Sequence, residues 1–401
     1  MTTIEQQILK QIDKHFPVLV AFLCTLFGIV IRISLFDIVS GDYTLFLLPW
    51  YEEIAENGLS QQVGDYNFAY QFIIWLMVKI NIRPLLGYKL VSCTFDWMVA
   101  IAAGMIAWNV LDSDKIWKAT LTYCAVWLSP IVFLNSAAWA QCDAIYTAFV
   151  LLAVLMLERK RYITAMILLG IGFAFKLHTV FALPIFLFVY FVRRKFSVIY
   201  FAIIPAAMIA VSSPLFFWGR KITEIFTIYS SQTNTYQWMV AGYPSVWSLL
   251  CQEKSPDQYL LLKQMAIIFT VFAIALIMIW WIRKSFIPTG QNLYIMAFLL
   301  IYTCVMFLPS MHERYGYLYE ILAIILAVLF PKTIPLCAGL VCISLNTYGQ
   351  CLFGVSVNRM LLTVINLIIY GIYIAYLANK LQSGEKPKEN CIEQFPGIDI
   401  S

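Results

Sequence analysis

The sequence predicts an all-α integral membrane protein, a polytopic helical bundle with outer juxtamembrane helices in its first long loop. Three observations carry this. Hydrophobic residues fill 62% of the 401 positions and charged residues only 12%, about half the charged share of a soluble domain. The apolar residues recur in blocks close to the ~20 residues that a bilayer-crossing helix needs. Small Lys/Arg clusters separate some of these blocks, while long polar and aromatic stretches separate others, as expected for inner and outer loops.

The polar amino terminus MTTIEQQILKQIDKHFP lacks the layout of a cleavable signal. It reads as a short cytoplasmic helix leading into a first span at 17–36. Further apolar segments lie at 88–110, 119–137, 142–157, 197–216, 259–282, 289–308, 316–330, 333–352 and 359–379. The clusters Arg159-Lys160-Arg161, Arg193-Arg194-Lys195 and Arg283-Lys284 mark the cytoplasmic side. Between the first two the chain must go out and return, so 161–175 and 177–192 form two short helices meeting near Lys176-Leu177-His178. The expectation is one transmembrane domain over 1–380 with about twelve crossings. Both termini lie inside, and 381–401 is a polar, disordered cytoplasmic tail. Segment 66–82 cannot also cross, because every later basic cluster would then face out. It reads as an interfacial helix on the outer surface. Two long outer loops follow, 37–87 and 217–258, with short outer turns at 135–141, near 176, at 309–315 and at 353–358.

The net charge of +5 is scattered over span ends and forms no patch for nucleic acid. Ten cysteines include no CxxC pair, and most sit in apolar segments as small hydrophobes. Neither a disulfide framework nor a metal site is expected.

Chemistry-bearing residues collect on the outer side. Asp42, in Ser40-Gly41-Asp42-Tyr43, either faces a polar cavity or caps the helix that follows. Asp143 closes Asn135-Ser136-Ala137-Ala138-Trp139-Ala140-Gln141-Cys142-Asp143, and is either a second carboxylate in the same cavity or a cap for 144–157. Two carboxylates in one cavity suit general base work and substrate orientation. His312, Glu313 and Arg314 follow Leu308-Pro309-Ser310-Met311, where three adjacent ionisable groups are costly unless paired or working; an exposed turn is the plain alternative. Lys176 and His178 sit at a helix break, which is tolerated at membrane depth only against protein or a polar cavity. Lys176 there offers a cation to a phosphate. Lys89 and Asp96, seven apart on one face, either pair with each other or leave Lys89 free for a phosphate. Arg32 has the same choice between a phosphate and snorkelling to the interface.

In this order, SGDYTLFLLPWY, NSAAWAQCDA, the lysine of AFKLHTVFALP and FLPSMHERY resemble motifs of bacterial GT-C fold glycosyltransferases, particularly their mannosyltransferase-like branch. The resemblance runs collinearly from about residue 25 to 330. It implies an outward-facing enzyme of the bacterial cell membrane that takes a sugar from a polyprenyl-phosphate donor, with inversion. Asp42 corresponds to the catalytic aspartate and Asp143 to the second aspartate. Ala140 stands where the family has glycine, and Gly64-Asp65-Tyr66-Asn67-Phe68-Ala69 replaces the family's Tyr-Pro-Pro run. Such a donor needs positive charge to stabilise the departing phosphate, and Lys89, Lys176, Arg314 and Arg32 are the candidates. Gln141, His178, His312 and Glu313 complete the expected substrate-binding set. The acceptor is expected to be a cell-surface glycan or lipid-linked molecule, with no cofactor or metal. A transporter or flippase of lipid-linked saccharides is the rival, but no internal repeat is present. The Tyr, Trp, Asn and Gln of 217–258 suit either sugar rings or the membrane interface.

Overall fold

The computed structural model describes residues 2–111, 114–235, 237–251 and 258–381. The tail expected to be disordered therefore lies almost wholly outside the described residues. All the expected apolar segments are helical. They are α1 (Thr3–Ser34), α4 (Pro84–Val110), α5 (Lys115–Trp127), α6 (Asp143–Glu158), α7 (Tyr162–Phe175), α8 (Leu183–Arg193), α9 (Ile203–Ser212), α11 (Tyr259–Arg283), α12 (Gln291–Phe307), α13 (Tyr317–Leu329), α14 (Ile334–Phe353) and α15 (Arg359–Ala378). The loops add α2 (Leu48–Asn57), α3 (Phe68–Lys79) and α10 (Glu224–Thr235).

Six helical stretches are long and apolar enough to cross a bilayer: His15–Ser34, Pro84–Val110, Val198–Trp218, Tyr259–Arg283, Pro331–Phe353 and Arg359–Ala378. Lys115–Trp127 with Pro130–Ala138 makes a seventh when counted as one span bent by 43°. The faces of α1, α11 and α15 expose rows of large apolar side chains, among them Phe22, Phe27, Ile268, Val271, Leu361 and Ile368. Apolar surface of that extent belongs in lipid, and the protein is a multi-pass membrane protein. By contrast α12 and α13 are buried almost along their whole length. Surrounded by other helices, they need not match the bilayer thickness themselves.

Helix α6 sets the axis of the site. It starts at Asp143 and ends at Glu158, roughly 22 Å apart at 1.5 Å per residue. At its far end Glu158 accepts from Arg193 (2.8 Å) and from the Gly290 amide (2.7 Å), and Arg159 donates to Asn109 (3.0 Å). At its near end the two long loops close on each other. Arg220 donates to Gln62 (2.6 Å) and Gln71 (2.9 Å), and Asn67 donates to the Ile225 carbonyl (3.1 Å). Met311–His312 pairs with Val240–Ala241 as a two-stranded parallel ribbon. Helix α3 is 12 residues long, too short for a bilayer about 30 Å thick. It packs Phe68, Tyr70, Ile74 and Met77 inward.

The spans are locked by ionic bonds that differ from the sequence expectation. Asp96 pairs with Arg32, not Lys89, at 2.9 Å, and also accepts from Ser136 (2.5 Å). Arg32 stacks 3.5 Å above the Trp127 ring and donates to the carbonyls of Gly28 and Trp127. It does not snorkel, and its Nε, Nη1 and Nη2 are each engaged within the protein. Lys89 donates to the carbonyls of Leu35 (3.0 Å), Phe36 (2.9 Å) and Ile38 (2.6 Å), the end of α1 that lacks helical partners. All three of its N–H donors are committed there.

Candidate active site

Asp42 enters a π-helical turn, Tyr43–Leu47, and its side chain makes no capping bond. Ser40 does the capping instead: its Oγ accepts from the Tyr43 amide (3.2 Å) and donates to the Trp139 carbonyl (3.0 Å). Asp42 is thereby released for other contacts. Its Oδ2 accepts from Trp139 Nε1 (3.1 Å) and Gln141 Nε2 (2.6 Å), and lies 3.6 Å from Arg314 Nη1. The other oxygen, Oδ1, takes no protein hydrogen bond among the described residues, and the side chain is 31% exposed.

Trp139 and Gln141 reach Asp42 from a second π-helical turn, Leu134–Ala138. Wide turns of this kind are frequent at functional sites. The chain then passes through Ala140 at φ +63°. That left-handed conformation costs an alanine roughly 1–2 kcal/mol, a cost a glycine would not carry.

Asp143 departs from the expectation of a cavity-facing carboxylate. It is fully buried at the start of α6. Its Oδ1 is ion-paired to Lys176, while Oδ2 accepts from Asn135 (3.2 Å) and lies 3.5 Å from Arg314 Nε. Nor does its side chain cap α6. Asp143 touches the cations Lys176 and Arg314 rather than the cavity.

Lys176 stands at the expected helix break, in extended conformation between α7 and the 3-10 turn Leu177–Ala182. The rings of Tyr66, Tyr146 and Tyr315 lie 5.5 to 5.8 Å from its ammonium. His178 packs against Tyr315 with ring centres 3.8 Å apart. Arg314 lies between three carboxylates, Asp42, Asp143 and Glu313, and reaches them through Nη1 and Nε. Its Nη2 makes none of these contacts. Burial, reinforced by Arg314 and Lys176, holds His312 down to about 3. His312 is thus neutral at physiological pH and brings no cation to the site. Burial raises the Glu313 carboxyl, and Arg314 offsets part of that rise. Gly242, at φ +108°, lets the second loop pass against Glu313, where a Cβ would collide with its Oε2.

One cavity of about 510 Å³ gathers Asp42, Gln141, Lys176, His178, His312, Glu313 and Arg314 on its wall. The expected residues missing from it are Lys89 and Asp143. The cavity has two chemically distinct sides. Phe181, Pro184, Ile267, Val271 and Ile274 make an apolar wall, while Trp50, Asp65, Tyr66, Gln232 and Thr233 make an aromatic and polar one. Trp50, Asp65 and Tyr66 are site residues that sequence reasoning missed; the Gly64-Asp65 pair, a turn signal followed by a carboxylate, was the available cue.

No curated protein matches the chain. Residues 72–310 match Glycosyltransferase family 87, a span that holds Gln141, Asp143, Lys176 and His178. Asp42 and the turn His312-Glu313-Arg314 lie outside it and are joined to it by the bonds from Trp139 and Gln141 and by the contacts of Arg314. On this match over more than half its length, the chain belongs to glycosyltransferase family 87 and is a polytopic membrane glycosyltransferase of the GT-C type.

Proposed function

We propose that the protein transfers a sugar, with inversion, from a polyprenyl-phosphate carrier to an acceptor hydroxyl on a cell-surface glycan or lipid-linked molecule. Asp42 is the base, and the reaction takes place at the outer face of a bacterial cytoplasmic membrane. The observation that carries this reading is the pairing, in one cavity, of a carboxylate oxygen without a partner among the described residues and a guanidinium 3.6 Å from the same carboxylate, beside an apolar wall. Asp42 Oδ1 takes the acceptor proton as the acceptor oxygen attacks the anomeric carbon from the face opposite the phosphate. The bond from that carbon to the phosphate oxygen breaks, and the carrier leaves as a phosphomonoester with one more negative charge. Arg314 meets that charge through Nη2, and Lys176 adds a second fixed cation. Preorganised charge at the point where charge develops is the largest lever available to such a site. With two fixed cations in place, the reaction proceeds without a metal ion. The apolar wall takes the start of the prenyl chain.

The outer location rests on the loops. Basic clusters gather at the Glu158 end of α6, whereas the cavity lies at its Asp143 end, and basic loops mark the cytoplasmic side. In this arrangement one domain over 1–380 makes about twelve crossings, with α3 lying on the outer surface.

The test uses purified protein in lipid nanodiscs. A polyprenyl-phosphate sugar should be turned over in the presence of a chelator, and a nucleotide sugar should not. Turnover of a nucleotide sugar in the absence of any carrier lipid overturns the donor assignment.

A further inference from the structure

At the end of α6 away from the cavity, a second recess of about 400 Å³ is lined by Lys160, Tyr162, Arg193, Lys195 and Thr289. Each of these side chains offers a hydrogen-bond donor, and among the described residues no carboxylate lines the recess. Glu158, beside it in the chain, is already committed. Its Oε2 accepts from Arg193 Nη2 (2.8 Å) and its Oε1 from the Gly290 amide (2.7 Å). That pairing offsets the charge of Arg193. Lys160 and Lys195, both exposed, keep theirs, with no ion pair among the described residues. Two of the five side chains are held in place. The Arg193 side chain is 7% exposed, and its Nη1 and Nη2 donate to the carbonyls of Leu157 (2.9 Å) and Pro288. Its Nε is buried and finds no acceptor among the described residues. The Tyr162 ring stacks on Phe196, ring centres 4.5 Å apart, and its hydroxyl is likewise buried without a partner among the described residues.

Snorkelling accounts for two lysines at a membrane boundary, but not for the unused, buried donors of Arg193 and Tyr162 beside them. A buried donor without an acceptor is costly, and an anion in the recess supplies acceptors where the protein supplies none. The surroundings point to a lipid as its source. Helix α7 begins and α8 ends at the recess. Ile163, Phe191, Val198 and Ile199, close to its lining residues in the chain, are 51% to 69% exposed and offer apolar surface to acyl chains. We infer that this recess binds the phosphate of an anionic glycerophospholipid in the leaflet at this end of α6. Its phosphate oxygens face the donors of Lys160, Lys195, Arg193 and Tyr162, and its acyl chains lie along Ile163 and Phe191. Basic pockets between membrane helices suit such head groups. A zwitterionic lipid is disfavoured, because its own cation meets the two lysines. The site is separate from the cavity at Asp143 and does not depend on the role given to Asp42.

Native mass spectrometry of the full-length protein in a neutral detergent tests this, with phosphatidylglycerol and phosphatidylcholine of identical acyl chains as the probes. Wild-type protein should bind phosphatidylglycerol in preference. Lys160→Ala and Lys195→Ala should each weaken that binding about fivefold, the scale of one basic residue facing anionic lipid. Tyr162→Phe keeps the ring on Phe196 and should weaken it about tenfold, the scale of one lost hydrogen bond to a charged group. The double variant Lys284→Ala/Lys332→Ala removes two exposed charges outside the recess and should bind as wild type. The inference is overturned if phosphatidylglycerol is not preferred, or if both lysine variants and Tyr162→Phe keep wild-type affinity. Equal loss in the control variant overturns it too, since charge at large would then hold the lipid. Displacement of the lipid by millimolar inorganic phosphate would assign the recess to a soluble anion and overturn the lipid assignment. Because no arm uses a sugar donor, each of these results leaves the transferase reading standing.

Discussion

At the scale of single residues, the site is defined by which side chains are already committed and which are not. Asp42 and Asp143 look alike in sequence, each an aspartate at the start of a helix. The first keeps an oxygen for the cavity because Ser40 takes over the capping; the second is enclosed by Lys176, Asn135 and Arg314. A sequence shows both as candidates, because burial is decided by elements remote in the chain. The same holds for Arg32, whose carboxylate partner Asp96 lies 64 residues away, and for Lys89, whose partners lie 51 to 54 residues away. His312 gives a residue-scale prediction. Held down to about 3, it stays uncharged from pH ~5 to ~8, the range in which an unperturbed histidine titrates. His312→Gln should therefore leave the shape of the pH–rate profile between those limits unchanged, with any loss uniform across pH. Disappearance of an acid limb in the variant, measured as initial rates at fixed saturating donor, would contradict a neutral His312.

At the scale of elements, two π-helical turns, one helix break and one two-stranded ribbon bring the four motifs to one place. The helices themselves were legible in the sequence, since each expected apolar segment is helical, and so was the break at Lys176. The turns were not, because π geometry and the positive φ of Ala140 arise from packing and not from local propensity. Lys176 and Asp143 join the break to the start of α6, and both are buried. Removing one partner of such a pair strands the other, at a cost of about 3–5 kcal/mol. Lys176→Ala should therefore lower the thermal midpoint sharply, so its loss of donor use is not a clean reading of phosphate binding. The double variant Lys176→Met/Asp143→Asn should be markedly more stable than Lys176→Ala. Additive losses in a double-mutant cycle would show that the two groups act independently.

At the scale of the whole molecule, basic loops collect at one end of α6 and the cavity at the other. This predicts cysteine labelling in intact cells: positions Asn57 and Lys221, both exposed in the long loops, should react with an impermeant reagent from outside. Lys160 and Lys284, exposed in the basic loops, should react only after permeabilisation. Outside labelling at Lys160 would invert the molecule and move the reaction to the cytoplasm. The proposed transfer turns on Asp42, and its most direct measurement is the single-turnover rate of Asp42→Asn with saturating polyprenyl-phosphate sugar, alongside the thermal midpoint. Asparagine still offers an oxygen to Trp139 or Gln141, so the variant should melt as wild type. It cannot take the acceptor proton, and the rate should fall by at least about two orders of magnitude, the scale of general base catalysis. A folded Asn variant that transfers sugar at the wild-type rate would contradict the account.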